Sequence, residues 1–111
     1  MTVLDAIQKA NNTKRNSVPF EKKIQWLEVL DGEINRELRQ VSGELPPYNV
    51  TTDLLVPKPY CDIYPAYLIM RIDLELEDLE HYNGDALCFN KLLQGLSSYC
   101  KRKAARGEDI W

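Results

Sequence analysis

Two rows of apolar residues run along residues 62–82, and this feature constrains the fold more than any other. Helical spacing groups them as Ile63, Tyr67, Met70 and Leu74 in one row, and Ile69, Ile72, Leu76 and Leu79 in the other. A helix on the surface of a globular protein carries one apolar stripe, so two rows imply burial on two sides. The pattern predicts a central helix, or one that also faces a partner.

Three further helices are predicted near residues 2–10, 18–41 and 85–102. Thr2 and Asp5 have the spacing of a capping box, and Ser17 can cap the second helix. The second helix has an amphipathic stripe formed by Ile24, Leu27, Leu30, Ile34, Leu38 and Val41, with Trp26 lying beside it. Asn83–Gly84 is expected to break the chain, with Asp85 capping a fourth helix antiparallel to the third.

The segment between the second and third helices, residues 42–61, lacks helical periodicity. Pro46–Pro47 begins it, Pro57 and Pro59 stand near its end, and Leu54–Leu55–Val56 is prone to β-structure. Such a long connection is either functional or disordered, and three consecutive apolar residues argue against disorder. We interpret it as an extended, β-like arm. It either folds back on its own bundle or adds to a neighbouring chain as an edge strand or hydrophobic hook.

Assembly through this arm is a specific hypothesis. Exposing several large apolar side chains together is unfavourable, and proline stiffening lowers the entropy lost when an arm docks. Tyrosines, which are common at interfaces, gather in the same region. The predicted protein-interface residues are Leu54, Leu55, Val56, Pro57, Pro59 and Tyr60.

Length and composition complete the prediction of an all-α fold. With 111 residues, 44% of them apolar and 28% charged, the chain suits one helical domain over residues 1–111. Residues 103–111 are interpreted as a flexible tail. The longest apolar run, residues 63–70, contains Pro65 and is too short to cross a bilayer, and the first residues do not resemble a secretory signal.

The charge distribution argues against nucleic-acid binding. Residues 41–100 carry three basic and nine acidic side chains, a net charge of −6, and such a surface repels phosphates. The basic cluster of residues 101–103 is typical of a solvated helix end that complements the helix dipole.

No combination of residues in the sequence predicts catalysis, a metal site or a cofactor. His81 is the only histidine; Asp78 and His81 have the spacing of one metal-binding pair, but no second pair accompanies it. His81 and Cys88 lie on either side of the predicted break, so a nucleophile–base pair is not expected. We expect Cys88 and Cys100 to be buried, reduced thiols.

The chain resembles small bacteriophage and prophage proteins that act as head–tail connector, or head-completion, proteins. The resemblance covers about residues 24–102. Its residues are Trp26–Leu27, Leu30–Asp31–Gly32, Leu54–Leu55–Val56–Pro57, Pro59–Tyr60, Tyr64, Tyr67–Leu68, Ile72–Asp73, Tyr82–Asn83 and Phe89–Asn90. Three positions depart from the family pattern: Cys61 replaces an acidic residue, Leu74 an aromatic residue and Gly84 a second Asn.

This resemblance implies a non-enzymatic structural protein of the virion that is made in the bacterial host's cytoplasm. Its partners would be copies of itself in a homo-oligomeric ring, together with the phage portal and tail proteins, without specific nucleic-acid binding or membrane contact. The alternative is a small cytoplasmic helical adaptor or regulator that binds a host protein through the same arm.

Overall fold

The computed structural model describes residues 1–111 and contains four α-helices. They are α1 (Val3–Thr13), α2 (Phe20–Glu37), α3 (Ile63–Glu75) and α4 (Leu79–Ala105), and a single 3-10 turn, Tyr60–Asp62, leads into α3. The prediction of a small helical bundle with a long non-helical connection between its second and third helices is confirmed.

α3 is the central helix, because it contacts α1, α2 and α4. Tyr64, Leu68 and Ile72 follow one another at four-residue intervals along α3 and are fully buried. On the facing side of α1, Val3, Ile7 and their neighbours Ala6 and Ala10 are also fully buried. α3 is therefore central, as predicted, but its buried face is neither of the predicted rows, because only Ile63 and Ile72 among the eight row residues are fully buried.

The helix starts follow the sequence only in part. The Thr2–Asp5 capping box forms as predicted, because each residue accepts a hydrogen bond from the other's backbone N–H at 3.1 Å. Ser17 does not cap α2: the helix starts one residue after Pro19, which makes no side-chain cap. Trp26 is buried, and the guanidinium of Arg71 lies 5.0 Å from its ring centre.

The break between α3 and α4 is at residues 76–78, not at Asn83–Gly84. Glu77 has a φ of 55° and its N–H donates to the Leu74 carbonyl, while the Asp78 N–H donates to the Asp73 carbonyl at 2.8 Å. These two bonds form the reverse turn that ends many helices, with glutamate in the left-handed position usually taken by glycine. Asp78, not Asp85, then caps α4 by accepting from the His81 N–H.

The β-like arm is a wrong prediction. The arm (residues 42–61) makes only one isolated antiparallel bridge, between Thr2 and Asp53. Backbone hydrogen bonds flank that bridge: the Leu54 N–H donates to the Met1 carbonyl, and the N–H groups of Val3 and Leu4 donate to the carbonyls of Thr52 and Val50. No strand develops, because the chain enters α1 at Val3. The arm therefore folds back on its own bundle as extended chain that is hydrogen-bonded to the first residues but forms no strand.

The C-terminal residues return to the bundle. α4 continues through Ala105, and beyond it Ile110 and Trp111 pack against the core. The guanidinium of Arg39 lies 5.1 Å from the Trp111 ring centre and donates a hydrogen bond to the Trp111 carbonyl. The end of α2 and the C-terminus thus lie side by side. Among the helices, none has the length and apolar content needed to span a membrane.

Candidate protein–protein interface

A buried carboxylate holds the arm against α2. Asp31 is fully buried and accepts three hydrogen bonds: from the Tyr48 hydroxyl at 2.6 Å, the Tyr64 hydroxyl at 2.5 Å and the Leu55 N–H at 3.1 Å. The Tyr64 hydroxyl in turn accepts from the Val56 N–H at 2.8 Å. We call these five residues the arm clamp.

Burial sets the electrostatics of the arm clamp. It raises the pKa of Asp31, and the three donated hydrogen bonds oppose that rise by stabilising the charged form. Burial also raises the pKa values of Tyr48 and Tyr64, which keeps both hydroxyls protonated and able to donate. In the arm clamp, the N–H groups of Leu55 and Val56 thus have side-chain acceptors, whereas the adjacent Leu54 N–H donates to the Met1 carbonyl.

The arm clamp determines which of the predicted interface residues are buried. Leu54 and Val56 are 6% and 1% exposed and belong to the chain's own core. Leu55 and Pro57 are half-buried, and Pro59 is exposed. Tyr60 is half-buried, with its ring centre 4.8 Å from that of Tyr99 on α4. A role of the arm in assembly stays a prediction, and within this fold it would depend on the accessible residues, not on Leu54 or Val56.

Four large leucine side chains are exposed near the start of α4. Leu74, Leu76 and Leu79, at the α3–α4 junction, are 41%, 46% and 66% exposed, and Leu87 on α4 is 57% exposed. Leu76 lies in the turn and Leu79 is the first residue of α4, so the early break removes both from the central helix. The two apolar rows were predicted to mark a central helix, or one that also faces a partner, and their last members are not part of the core.

A cluster of charged groups supports the same junction from the inside. Lys14 bonds to the buried carboxylate of Asp73 and lies 2.6 Å from Asp78 Oδ2, whose pKa this contact lowers to about 2. The hydrogen bond between the Asp78 carboxylate and His81 Nδ1, at 2.8 Å, raises the pKa of His81. The neighbouring Asp73 carboxylate raises the pKa of Asp85 to about 6. Lys14 thus ties the end of α1 to both sides of the break.

No three His, Cys, Asp or Glu side chains have an arrangement that could hold a metal ion. All three cysteines are free thiols; Cys61 and Cys100 are buried, but Cys88 is exposed, contrary to expectation. Cys88 lies on the outer face of α4, where it contributes nothing to the core.

No protein-family model matches the chain, and no curated protein and no solved structure is similar to it.

The sequence contained a signal for the arm clamp that periodicity alone does not reveal. Asp31 follows Leu27 by four residues, so it lies on the buried face of α2. A carboxylate on such a face needs hydrogen-bond donors, and the tyrosines near the arm are the available ones. For three of the exposed leucines, the two apolar rows already allowed a side that faces a partner, but the rows do not show which residues are exposed.

Proposed function

We propose that this chain is a subunit of a phage head–tail connector. It forms a homo-oligomeric ring that joins the portal and capsid to the tail, and it acts without catalysis, cofactor or specific nucleic-acid binding. It is made in the host bacterial cytoplasm and ends in the virion.

The observation that carries this proposal is the exposed leucine surface of Leu74, Leu76, Leu79 and Leu87. A single exposed leucine is ordinary, but three within six residues, with a fourth farther along α4, provide exposed apolar area of the kind typical of protein contacts. Burying one leucine side chain fully is worth about 1.5–3 kcal/mol, so covering this surface would supply much of an interface's stability.

The residues of the family resemblance give further support. Asp31, Leu55, Val56 and Tyr64 belong to both the resemblance and the arm clamp. They therefore have a joint physical task, which is to attach the arm to α2 and α3. A chain that shares these residues with connector proteins can attach its arm through the same hydrogen bonds.

Reconstitution with the portal protein from the same genome tests the proposal. Purified portal rings are mixed with this protein, and binding is measured by gel filtration and by electron microscopy of the rings. We expect added density at one end of the portal ring. Leu79→Asp should abolish the binding, whereas Val29→Asp should not, because Val29 is a similarly exposed apolar residue on α2, away from the leucine surface.

A chain that binds neither itself, nor the portal, nor the tail proteins contradicts the proposal. In that case the adaptor hypothesis, in which one host protein is the partner, would take its place. If the Leu79 and Val29 variants lost binding equally, the leucine surface would not be the site that contacts the portal.

A further inference from the structure

The two ends of α4 carry opposite charge. Residues 74–80, which we call the acidic tip, contain four acidic and no basic side chains, and residues 101–106, the basic end, contain four basic and no acidic ones. α4 has 27 residues and therefore spans about 40 Å. The longest dimension of the molecule is 43 Å, so the acidic tip and the basic end lie at its opposite extremes.

Ion pairs within the chain neutralise only half of the acidic tip. Two lysines pair with Glu75 and Asp78. Glu77 and Glu80 are exposed and have no ionic partner within the chain. Both belong to the same seven-residue segment as Leu74, Leu76 and Leu79, so the tip presents an apolar surface with two free carboxylates.

The basic end is arranged in the same way. Glu108 pairs with Lys103 at 3.0 Å and lies 4.0 Å from Arg106. Lys101 and Arg102 are exposed and have no ionic partner. Two free cations at one extreme of the molecule thus match two free carboxylates at the other.

Apolar surface accompanies the basic end as well. Ala104 and Ala105 are exposed on the last turn of α4. Val41, two residues beyond Arg39, is 41% exposed, and the contact between Arg39 and Trp111 brings this part of the chain to the C-terminus. The basic end therefore offers both partners that the tip lacks, cations for its carboxylates and apolar groups for its leucines.

We infer that the acidic tip of one copy binds the basic end of the next. Such a contact joins two different surfaces, so it is head-to-tail, and it generates a ring if the rotation closes or a filament if it does not. The identification of the product as a connector ring rests on the proposed function, but the contact itself can be tested with this protein alone.

Charge reversal at either end tests the inference by sedimentation velocity over a concentration series. The variants are Glu77→Lys/Glu80→Lys and Lys101→Glu/Arg102→Glu. We expect the unaltered protein to associate reversibly and more weakly as salt is added, since exposed charges are screened beyond about 10 Å at 0.1 M salt. Each variant alone places like charges together, and its association should weaken by about tenfold or more.

Mixing the two variants in equal amounts is the decisive step. When the two variants alternate, the positively charged tip of one meets the negatively charged end of the other. The second contact, between the unaltered tip and the unaltered basic end, also joins opposite charges, so association should return. The control is Lys91→Glu, which reverses an exposed charge in the middle of α4 and should leave association unchanged. Circular dichroism of every variant checks that the helices are retained.

A monomer at every concentration of the unaltered protein would overturn the inference, and so would a mixture that associates no better than its separate components. Portal binding by the same samples keeps the two proposals apart. A protein that binds portal but shows no rescue in the mixture contradicts the head-to-tail contact alone. A protein that shows the rescue but never binds portal or tail proteins contradicts the connector role alone.

Discussion

Replacing Asp31 with alanine should release the arm and destabilise the whole domain. The substitution removes the shared acceptor of two tyrosine hydroxyls and of the Leu55 N–H. A buried donor left without a partner costs about 1–3 kcal/mol. Tyr64 is fully buried and bears this cost in full, whereas Tyr48 and Leu55 are half-buried and can reach water.

We expect the free energy of unfolding to fall by about 2–4 kcal/mol. The unpaired Tyr64 hydroxyl accounts for most of this loss and the two other donors for less, while the removal of a buried charge offsets part of it. With a urea dependence of about 2 kcal/mol per molar, the midpoint of unfolding should fall by about 1–2 M. Asp31→Asn keeps the shape and one oxygen acceptor, so its loss should be only about 1 kcal/mol.

Urea unfolding and hydrogen exchange measure the two consequences separately. In Asp31→Ala the amides of Leu55 and Val56 should exchange faster, because the clamp that holds them is gone. Glu37→Ala, at an exposed position on the same helix, is the matched control. Should Asp31→Ala unfold at the same urea concentration as this control, with both arm amides still protected, the assignment of Asp31 as the arm's anchor would be refuted.

Three further predictions concern single sites. The neighbouring Asp73 carboxylate raises the pKa of Asp85 from 3.8 to about 6, so the folded chain holds a proton that the unfolded chain releases. The melting temperature should therefore fall as pH rises from about 4 to 6, and Asp85→Asn should flatten this part of the profile. Parallel profiles for the two proteins would contradict the raised pKa of Asp85. A thiol reagent should modify exposed Cys88 at once and buried Cys100 only on unfolding, and equal rates would show that Cys100 is accessible. Gly84→Ala should raise the free energy of unfolding by about 0.5–1 kcal/mol, because a Cβ at this position in α4 meets no other atom; urea unfolding would reveal an unfavourable contact as a loss instead.

The sequence predicted best those elements whose pattern and local signals agree. The capping box at Thr2 and the buried face of α1 give the same answer, so α1 starts where expected. Residues 62–82 were likewise predicted to contain a central helix, although of its buried stripe, Tyr64, Leu68 and Ile72, only Ile72 belonged to a predicted row. In such segments local hydrogen bonding and burial favour the same structure, and tertiary contacts have nothing to override.

The α3–α4 break could not be located from local signals, because they favoured the wrong place. Asn83–Gly84 has the composition of a helix end, yet Gly84 lies inside α4, where its lack of a side chain only weakens the helix. Glu77 occupies the left-handed position instead. The reason is tertiary: Lys14, distant in sequence, bonds to carboxylates on both sides of the break.

This error in one boundary also affected the candidate interface. With the break at residue 84, Leu76 and Leu79 lie on the central helix; with the break at residues 76–78, they lie in the turn and at the start of α4, and both are exposed. Periodicity reports which side chains share a helix face, but burial depends on which helices pack there. The opposite happened in the arm. Leu54 and Val56 were predicted to contact a partner, but both are buried in the chain's own core, where Asp31 and Tyr64 hold this part of the arm.

The positions of these two sets of residues separate the basis of the fold from the basis of partner choice. Asp31 and Tyr64 are buried and hydrogen-bonded to each other through their side chains, so losing either side chain leaves unpaired polar groups inside the core and costs stability. Glu77 and Leu79 are exposed, and changes there cost the fold little. If the proposed head-to-tail contact forms, its specificity can therefore vary at the acidic tip while the arm clamp stays the same.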